Sequence, residues 1–514
     1  MFIPSDMIRQ IYLIRFLVYL ILKSIRIHML KYLITLLIIS LFTILLFSFN
    51  RMESRKDQWI NRSYQAQDST FGKAAVNYQT YCGGCHGEKM NAFVDREWKH
   101  GKSRNDLFKA IKLGYNDGGM PSFASSFNDQ EIYQLADYIL TGIKNVNRYE
   151  GSEKPKSTLF KTEKLTVRLD AVVKGLDNPW AMAFLPGNEM LVTDRNGKFY
   201  YVKKDRTKTL ITGVPKVVSE GQGGLLDVAL DPDYARNKFI YLSYSKGKNE
   251  NGKELATTAI LKARFDNGKL TGQKDIFVAK PYSTTRHHYG SRMQFGKDGY
   301  LYFSVGERGN ENQNPQQIKG NDLGKIHRIK SDGTIPSDNP FVKIPGAEAS
   351  IYSYGHRNPQ GMTIHPQTGK IWTHEHGPRG GDEINIITPG KNYGWPEITY
   401  GINYDGKPMA PDTKTAKPGM EQPLFQWTPS IAPSGMAFVT GSRYKGWEGN
   451  LMSGSLRFEY LNRSVLKDNK VISEEILFKN IGRVRDVRMG PDGYLYMAVE
   501  RPGIIYKLVP VVNK

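Results

Sequence analysis

The stretch Arg292-Met-Gln-Phe-Gly-Lys-Asp-Gly299, followed by Tyr300-Leu-Tyr-Phe-Ser-Val305, decides the fold of this chain. Two apolar stretches flank a Gly-Lys-Asp-Gly turn signal, so together they predict a β-hairpin. The same apolar strand and Pro/Gly/Asp turn occur at six places along the chain, the other five being 181–186, 227–232, 361–366, 435–440 and 486–491. In four of the six, the turn leads directly into a second apolar strand.

These six repeats predict a six-bladed β-propeller over residues 159–514. Successive repeats begin about 45 to 75 residues apart, which suits four-stranded blades with long inserts. A segment of this length exceeds an ordinary single-core domain unless it is built from repeats. The alternative, an irregular all-β sandwich, does not require six similar hairpins.

Both cysteines of the chain lie in Cys82-Gly-Gly-Cys85-His86. This spacing attaches a c-type haem through two thioethers, with the histidine as an axial iron ligand. Met120 follows in a short Gly/Pro loop and supplies a second axial ligand, whereas His100 is the competing candidate in a Lys/Arg-rich segment. A His/Met-ligated haem leaves no open iron position, so it is expected to pass electrons and not to activate oxygen.

Residues 70–145 also predict short helices, and with the Cys-x-x-Cys-His motif they resemble a small all-α class I cytochrome c domain. Residues 146–158, which contain Asn, Glu, Lys, Pro and Ser, predict a linker to the propeller.

The start of the chain predicts a membrane segment. Tyr32–Phe49 is 18 residues long and carries no charge, which is long enough for a transmembrane helix. Residues 1–50 are therefore expected to be an anchor or signal segment, and 51–69 a juxtamembrane linker. Basic residues before the segment favour an N-terminus inside the cell. The remaining chain is then expected to be anchored in the inner membrane and to face the periplasm, or to be released there if the segment is cleaved.

The net charge of +21 indicates an acidic partner or simply a soluble surface. An acidic cofactor or an acidic electron acceptor would both suit it. Nothing in the chain resembles a nucleic-acid-binding fold, so nucleic acid is not expected as a partner.

Five segments at the ends of the predicted strands carry unusual clusters of Gly, His, Arg and Asn, namely 221–226, 287–292, 354–361, 375–385 and 482–486. In this order they resemble the soluble pyrroloquinoline quinone (PQQ) glucose dehydrogenases and the aldose sugar dehydrogenases, a family of six-bladed propellers. The resemblance runs from about residue 175 to 508. It implies a propeller that binds PQQ and calcium and oxidises the anomeric carbon of an aldose to a lactone.

PQQ is a planar orthoquinone with three carboxylates, so its site needs several cations and neutral donors. The resemblance assigns that role to Gln222, Arg357, Asn358, His376, Arg457, Arg483 and Arg485. Arg457 stands where the family usually has lysine, which keeps the charge but changes the geometry. His376 stands where some members carry glutamine, and it is expected on the cofactor side or just behind it.

The resemblance also implies calcium, a cation that prefers oxygen ligands. The backbone carbonyls of Gly377 and Pro378 are the expected ligands of a calcium ion that bridges to PQQ. Glu383 and the Tyr393 carbonyl resemble a second calcium site of aldose-type members, with Asp382 beside them. The alternative is an acidic turn that faces water.

For catalysis, His288 aligns with the family's general base. A histidine near its ordinary pKa accepts a hydroxyl proton at neutral pH. Glu307 falls where the family usually has the aspartate that orients this base, and Arg357 is the third expected catalytic residue. His287 is the adjacent competitor, but strand alternation predicts that its side chain points to the opposite face.

Together these features predict a quinohaemoprotein sugar dehydrogenase. Electrons from the sugar would pass to the haem of the same chain and then to a downstream acceptor of the respiratory chain. Two other functions stay open at this point. One is a calcium-dependent propeller lactonase or esterase, and the other is a haem-bearing propeller that binds sugars without catalysis.

Overall fold

The computed structural model describes residues 71–86, 98, 100–115, 120–144, 155, 157–310, 313–403, 409 and 413–511. The predicted membrane segment Tyr32–Phe49 and most of the predicted linker lie outside these residues. Across the described ranges, no helix is both long and apolar enough to cross a membrane. From Ala74 onward the chain forms one compact unit.

The cytochrome-like segment contains short helices, as the sequence predicts for residues 70–145. They are Gly72–Asn77 (α1), Gly83–His86 (α2), Arg104–Leu113 (α3) and Asp129–Lys144 (α4), with a wider π-helical turn at Tyr78–Cys82 between α1 and α2. Ser103 caps α3 in a reciprocal capping box with Asp106. Apolar side chains of α3 and α4 pack with Tyr78 and Phe123 in a small core.

Twenty-five strands follow in the described part of the chain. They are Leu159–Lys161 (β1), Thr166–Val173 (β2), Pro179–Phe184 (β3), Met190–Asp194 (β4), Phe199–Val202 (β5), Lys208–Leu210 (β6), Leu225–Leu230 (β7), Phe239–Glu250 (β8), Lys253–Asp266 (β9), Lys269–Val278 (β10), Met293–Phe295 (β11), Leu301–Val305 (β12), Lys325–Ile329 (β13), Ile351–Tyr354 (β14), Pro359–Ile364 (β15), Ile371–Glu375 (β16), Asp382–Ile386 (β17), Phe425–Trp427 (β18), Pro433–Phe438 (β19), Leu451–Ser455 (β20), Leu461–Lys467 (β21), Lys470–Leu477 (β22), Val484–Met489 (β23), Leu495–Val499 (β24) and Ile504–Val511 (β25). One short helix, Tyr234–Asn237 (α5), precedes β8.

These strands form six antiparallel sheets, so the predicted six-bladed propeller is confirmed. Five sheets have four strands, and each of them is built from consecutive strands. The six repeats of the sequence coincide with the first strand of each blade, which are β3, β7, β11, β15, β19 and β23. These first strands pack against those of the neighbouring blades around the ring.

The sixth sheet closes the ring with strands from both ends of the propeller. Its order is β1-β2-β25-β24-β23, so strands that precede the first repeat complete the blade that the last repeat begins. In this pairing Thr166 lies opposite Val511 and Leu169 lies opposite Leu508. The sequence does not show this pairing, because a β2–β25 contact joins segments more than 330 residues apart.

A buried charge network links the first strands of four blades. The Arg292 guanidinium, 2% exposed, donates to Asp486 at 2.8 Å. Arg488 donates to both Asp486 and Asp227, and Asp227 accepts from the Met293 backbone at 2.9 Å. The other Asp486 oxygen accepts from the Met182 backbone at 3.0 Å. Buried charges persist only when they are paired in this way.

Asp486→Ala is expected to destabilise the propeller by about 3–5 kcal/mol, because the buried Arg292 keeps only its 3.8 Å ion pair with Asp227 and Arg488 loses one of its two carboxylates. Urea unfolding followed by tryptophan fluorescence measures the loss. Arg236→Ala is the control, since its ion pair with Asp233 is exposed and such pairs contribute about 1 kcal/mol or less. Equal losses in the two variants would contradict a structural role for the network.

Candidate active site

One large cavity collects most of the residues that the sequence predicts for the site. Its volume is about 1550 Å³, whereas a pocket for one small molecule is typically ~300–1,000 Å³. Of the predicted residues, the cavity is lined by Cys82, His86, Met120, Gln222, His288, Glu307, Arg357, His376, Gly377, Pro378, Arg457, Arg483 and Arg485. Asn358, Glu383 and Tyr393 do not line it, and the Cys85 side chain lies outside the described atoms.

At the propeller end of the cavity, the His288 ring is paired with a carboxylate. Its Nδ1 forms a short hydrogen bond with an oxygen of Glu307, which is 1% exposed. A carboxylate accepts, so Nδ1 carries the proton and Nε2 remains available as a proton acceptor. The His288 backbone N–H donates to the Gln222 side chain at 2.8 Å. The base is therefore held at both its ring and its backbone.

The surroundings keep the His288 imidazole neutral. Burial lowers its pKa well below the ordinary value of 6.5, and the positive charges of Arg357 and Arg308 lower it further. At neutral pH the ring is therefore deprotonated at Nε2, which is the state that a general base needs.

The prediction that His287 points to the opposite face is wrong. Residues 285–292 form a loop and not a strand, and His288 has a positive φ of 54°. Strand alternation does not apply there, so the two rings lie 4.5 Å apart and both line the cavity. His287 differs in having no partner for Nδ1 among the described residues, and burial lowers its pKa to about 3.

Arg357 connects the base to the predicted calcium loop. Its guanidinium donates to the carbonyls of His376 at 3.2 Å and Gly377 at 3.1 Å, while its own carbonyl accepts from the Glu307 backbone. Its Nε has no hydrogen-bond partner in the described part of the chain. Arg357 lines the cavity, and its described guanidinium hydrogen bonds use Nη1 and not Nη2.

His376 occupies the cavity wall with one ring nitrogen already bonded. Its Nε2 lies 2.9 Å from the Pro433 carbonyl, and since a carbonyl only accepts, Nε2 carries the proton. Burial lowers the pKa of His376 well below its ordinary value. The ring is thus neutral and fixed in one tautomer.

A glutamate that the sequence analysis missed pairs with two of the predicted arginines. Glu500, which is buried, accepts from Arg483 at 2.8 Å and from Arg485 at 2.6 Å. These two guanidinium charges lower the pKa of Glu500 against the opposing effect of burial. The sequence does contain a signal for Glu500, namely an acidic residue directly after β24. This strand pairs with β23, which contains Arg485.

The loop at Gly377 is held by Asp382. Both Asp382 oxygens are used, since they accept from the Gly377, Ile431 and Ala432 backbones and from the Ser430 hydroxyl. Burial raises the pKa of Asp382 to about 6. The loop is also too tight for a side chain at position 377, where a Cβ would lie 2.1 Å from the Gly380 carbonyl oxygen. Asp382 therefore shapes the loop, and its oxygens are already committed to these donors.

Glu383 lies beside a second carboxylate in neighbouring strands. It is opposite Glu375 in the β16–β17 pair, and burial together with the Glu375 charge raises its pKa to about 8. The Tyr393 ring stacks on His356 at 4.6 Å. In the described residues no group of three or more His, Cys, Asp or Glu side chains is spaced for a metal ion. The second calcium site remains a prediction.

The other end of the cavity carries the predicted haem ligands. Cys82 and His86 lie on the helical run that begins at Gly72, and Met120 pairs through its backbone with Tyr115. The His100 ring, which is exposed, stacks on Tyr115 at 3.6 Å. Both candidate second ligands, Met120 and His100, therefore lie at the same cavity.

A family model described as glucose/sorbosone dehydrogenase matches residues 176–507. The chain belongs to this family. A second model, described as cytochrome c oxidase, cbb3-type, subunit III, matches residues 70–139. The matched ranges give this family member a dehydrogenase propeller and a cytochrome c domain in one chain.

Similar proteins cover the propeller almost completely. Aldose sugar dehydrogenase YliI of Escherichia coli (strain K12) is 43% identical over 350 residues, which are 67% of this chain and 93% of that protein. The apo form of the soluble aldose sugar dehydrogenase from Escherichia coli has a TM-score of 0.63 at 40% identity, covering 67% of this chain and 100% of that one. A PQQ-bound aldose sugar dehydrogenase from Streptomyces coelicolor has a TM-score of 0.56 at 30% identity, covering 68% and 100%.

Met120→Ala is expected to leave the haem attached through Cys82 and Cys85 but to lower its reduction potential and disturb its low-spin spectrum. The reason is that the predicted His/thioether ligand pair loses its sulfur. Visible spectroscopy and a redox titration measure both changes. His100→Ala serves as the comparison, and an altered spectrum in that variant alone would assign the second ligand to His100 instead.

Proposed function

We propose that this protein is a PQQ-dependent aldose dehydrogenase that oxidises the anomeric carbon of the sugar to a lactone and passes the electrons to its own c-type haem. The observation that carries the proposal is the His288–Glu307 pair, set in an arginine-lined cavity that is also lined by Cys82 and His86 of the predicted haem motif. The PQQ-bound relative supports the choice of quinone.

The cavity residues fit PQQ. Three carboxylates need cations, and Arg357, Arg457, Arg483 and Arg485 all line the cavity. Glu500 offsets part of the charge of two of them, so the site is less positive than four arginines alone. The described guanidinium hydrogen bonds of Arg357 use Nη1 and not Nη2. For calcium, the Gly377–Pro378 turn offers backbone oxygen, the ligand type that this ion prefers, and the Gly377 carbonyl would have to bind the ion while it also accepts from Arg357 at 3.1 Å.

Oxidation of an aldose to its lactone removes two electrons and two protons. When bound, PQQ would supply a hydride acceptor, calcium a Lewis acid beside it, and haem c a one-electron acceptor. His288 Nε2 accepts the proton of the anomeric hydroxyl, while Glu307 holds Nδ1–H and thereby keeps Nε2 free. Arg357 lies beside this pair and is expected to bind the cofactor or the sugar oxygen.

The cellular setting is part of the proposal. The uncharged segment Tyr32–Phe49 supports an inner-membrane anchor with the propeller in the periplasm. The partners are then an aldose sugar and a downstream one-electron acceptor of the respiratory chain, such as a cytochrome or an oxidase. Protease protection in spheroplasts tests this topology directly.

Reconstitution separates this function from the two alternatives. The purified full chain with its haem is mixed with PQQ and Ca²⁺, and the haem spectrum is followed after glucose or another aldose is added. Sugar-dependent haem reduction that needs PQQ is the expected result. Hydrolysis of lactones or esters without haem reduction would support the hydrolase, and sugar binding without either reaction would support the binding protein.

His288→Gln is expected to keep PQQ bound but to lower sugar oxidation by roughly 10² to 10⁴ fold, the range for loss of general-base help. The cofactor-binding arginines are untouched, so binding and chemistry separate. Dye-linked steady-state rates and PQQ titrations measure the two effects.

His287→Gln is the matched control for this prediction. His287 lines the same cavity but lacks an orienting carboxylate, so its replacement is expected to cost far less. The assignment of the base is wrong if the two variants show the reverse order, or if His288→Gln retains most of the parent rate with PQQ fully bound.

A further inference from the structure

The cytochrome c domain and the propeller touch through an arginine and an aromatic ring. The guanidinium carbon of Arg379 lies 4.9 Å from the centre of the Tyr81 ring. Arg379 belongs to the loop that begins with Gly377 and Pro378, and Tyr81 immediately precedes the haem-attaching Cys82. Both side chains are partly buried and line the large cavity. The contact therefore joins the predicted calcium loop to the predicted haem attachment site.

Each partner of this contact is held firmly on its own side. The Arg379 backbone N–H donates to the Ile402 carbonyl at 3.2 Å, and the backbone N–H of Gly377, two residues earlier, donates to Asp382 at 2.8 Å. The Tyr81 ring packs edge-on against Phe127 at 5.0 Å and against Phe123 at 6.3 Å. Arg379 therefore lies in a loop that is held by hydrogen bonds, and Tyr81 packs in the aromatic core of the cytochrome domain.

The charge of Arg379 has no stronger partner in the described part of the chain. Its guanidinium forms neither a hydrogen bond nor an ion pair with a described residue, and the face of Tyr81 is what it meets there. A cation over an aromatic face is attracted to it, most strongly where water is excluded, and such an attraction shifts an equilibrium by about 2- to 30-fold. The contact therefore favours the arrangement in which Tyr81 faces Arg379 over other arrangements of the two linked domains.

We propose that Arg379 is a positioning residue that seats the haem-carrying helix at the mouth of the cofactor site. The proposal rests on the proposed function, because it concerns how the two redox groups of that function are brought together. Each oxidised sugar releases two electrons and two protons. The ferric haem takes one electron at a time, so a one-electron oxidant must reoxidise it before the second electron follows.

The first test compares the rate of electron transfer to the haem with the rate of electron transfer to an added dye. The full chain is loaded with PQQ, Ca²⁺ and haem, and stopped-flow absorbance follows haem reduction after glucose is added. Steady-state turnover through the haem is measured separately, with ferricyanide as the one-electron oxidant. A phenazine dye collects electrons from the propeller directly. Arg379→Ala is expected to slow haem reduction by on the order of 10-fold, because loss of the cation–π contact lowers the population of the seated arrangement. The haem-linked rate should fall more than the dye-linked rate, so the ratio of the two rates is the quantity that tests the seating.

Two variants bracket this result. Arg379→Lys keeps the charge and is expected to recover part of the haem reduction rate. Arg236→Ala removes an exposed arginine of α5 that does not line the cavity, so both rates should match the parent. Unchanged haem reduction in Arg379→Ala overturns the proposal. An equal fall of both rates also overturns it, because Arg379 would then serve the cofactor site itself.

The second test needs no PQQ. A double-mutant cycle of Arg379→Ala and Tyr81→Leu is measured as thermal unfolding of the haem-containing, PQQ-free protein. If the contact forms, each substitution alone lowers the midpoint temperature of unfolding. The double variant then loses less than the sum of the two single losses. Tyr81→Phe keeps the ring, so its midpoint is expected to stay near that of the parent. Additive losses would show that the contact does not form and would overturn the proposal.

Failure of the proposed function is recognised separately. In that case the parent protein itself shows neither dye-linked nor haem-linked oxidation of any sugar. The double-mutant cycle still decides whether Arg379 seats the cytochrome domain.

Discussion

The propeller depends on the pairing of Arg292 with Asp486 and of Arg488 with Asp227 at the centre of the ring. Six blades bring their first strands together, and the polar groups at that point are cut off from water. Each charge is satisfied by a residue of another blade or by a neighbouring backbone N–H. The network therefore fixes the blades relative to one another, and the loops that follow them are placed with the same precision.

The site is built from loops that this ring holds. His288 and Glu307 come from the two sides of the third blade's first hairpin, Arg357 precedes the fourth blade, and Arg483 and Arg485 lie at the start of the last. Their proximity is a property of the ring and not of any one segment. A neutral histidine beside a buried carboxylate, next to several guanidinium groups, is suited to accepting a proton from a bound substrate.

Much of this could be predicted from the sequence because it is local. The six repeats mark the first strand of every blade, and the Cys-x-x-Cys-His motif needs only five residues to be recognised. The errors and omissions involve long-range or irregular structure. His287 was expected to face away from the cavity because the segment was treated as a strand, but the positive φ of His288 breaks that alternation. Glu500 was missed because its partners, Arg483 and Arg485, meet it only after β23 and β24 pair. Calcium and the membrane segment remain predictions, since the described residues test neither.

The closure of the sixth blade has a consequence for how such a protein can arise. Strand β1 is the outermost strand of a sheet whose inner part is made by β23–β25, so chain added ahead of it does not disturb the strand order of the ring. The aldose sugar dehydrogenase of Escherichia coli aligns over 93% of its length with only 67% of this chain, which shows that the propeller exists without the haem segment. A gene fusion ahead of β1 could therefore join a redox carrier to an already complete enzyme, leaving selection to refine only the surface where the two modules meet.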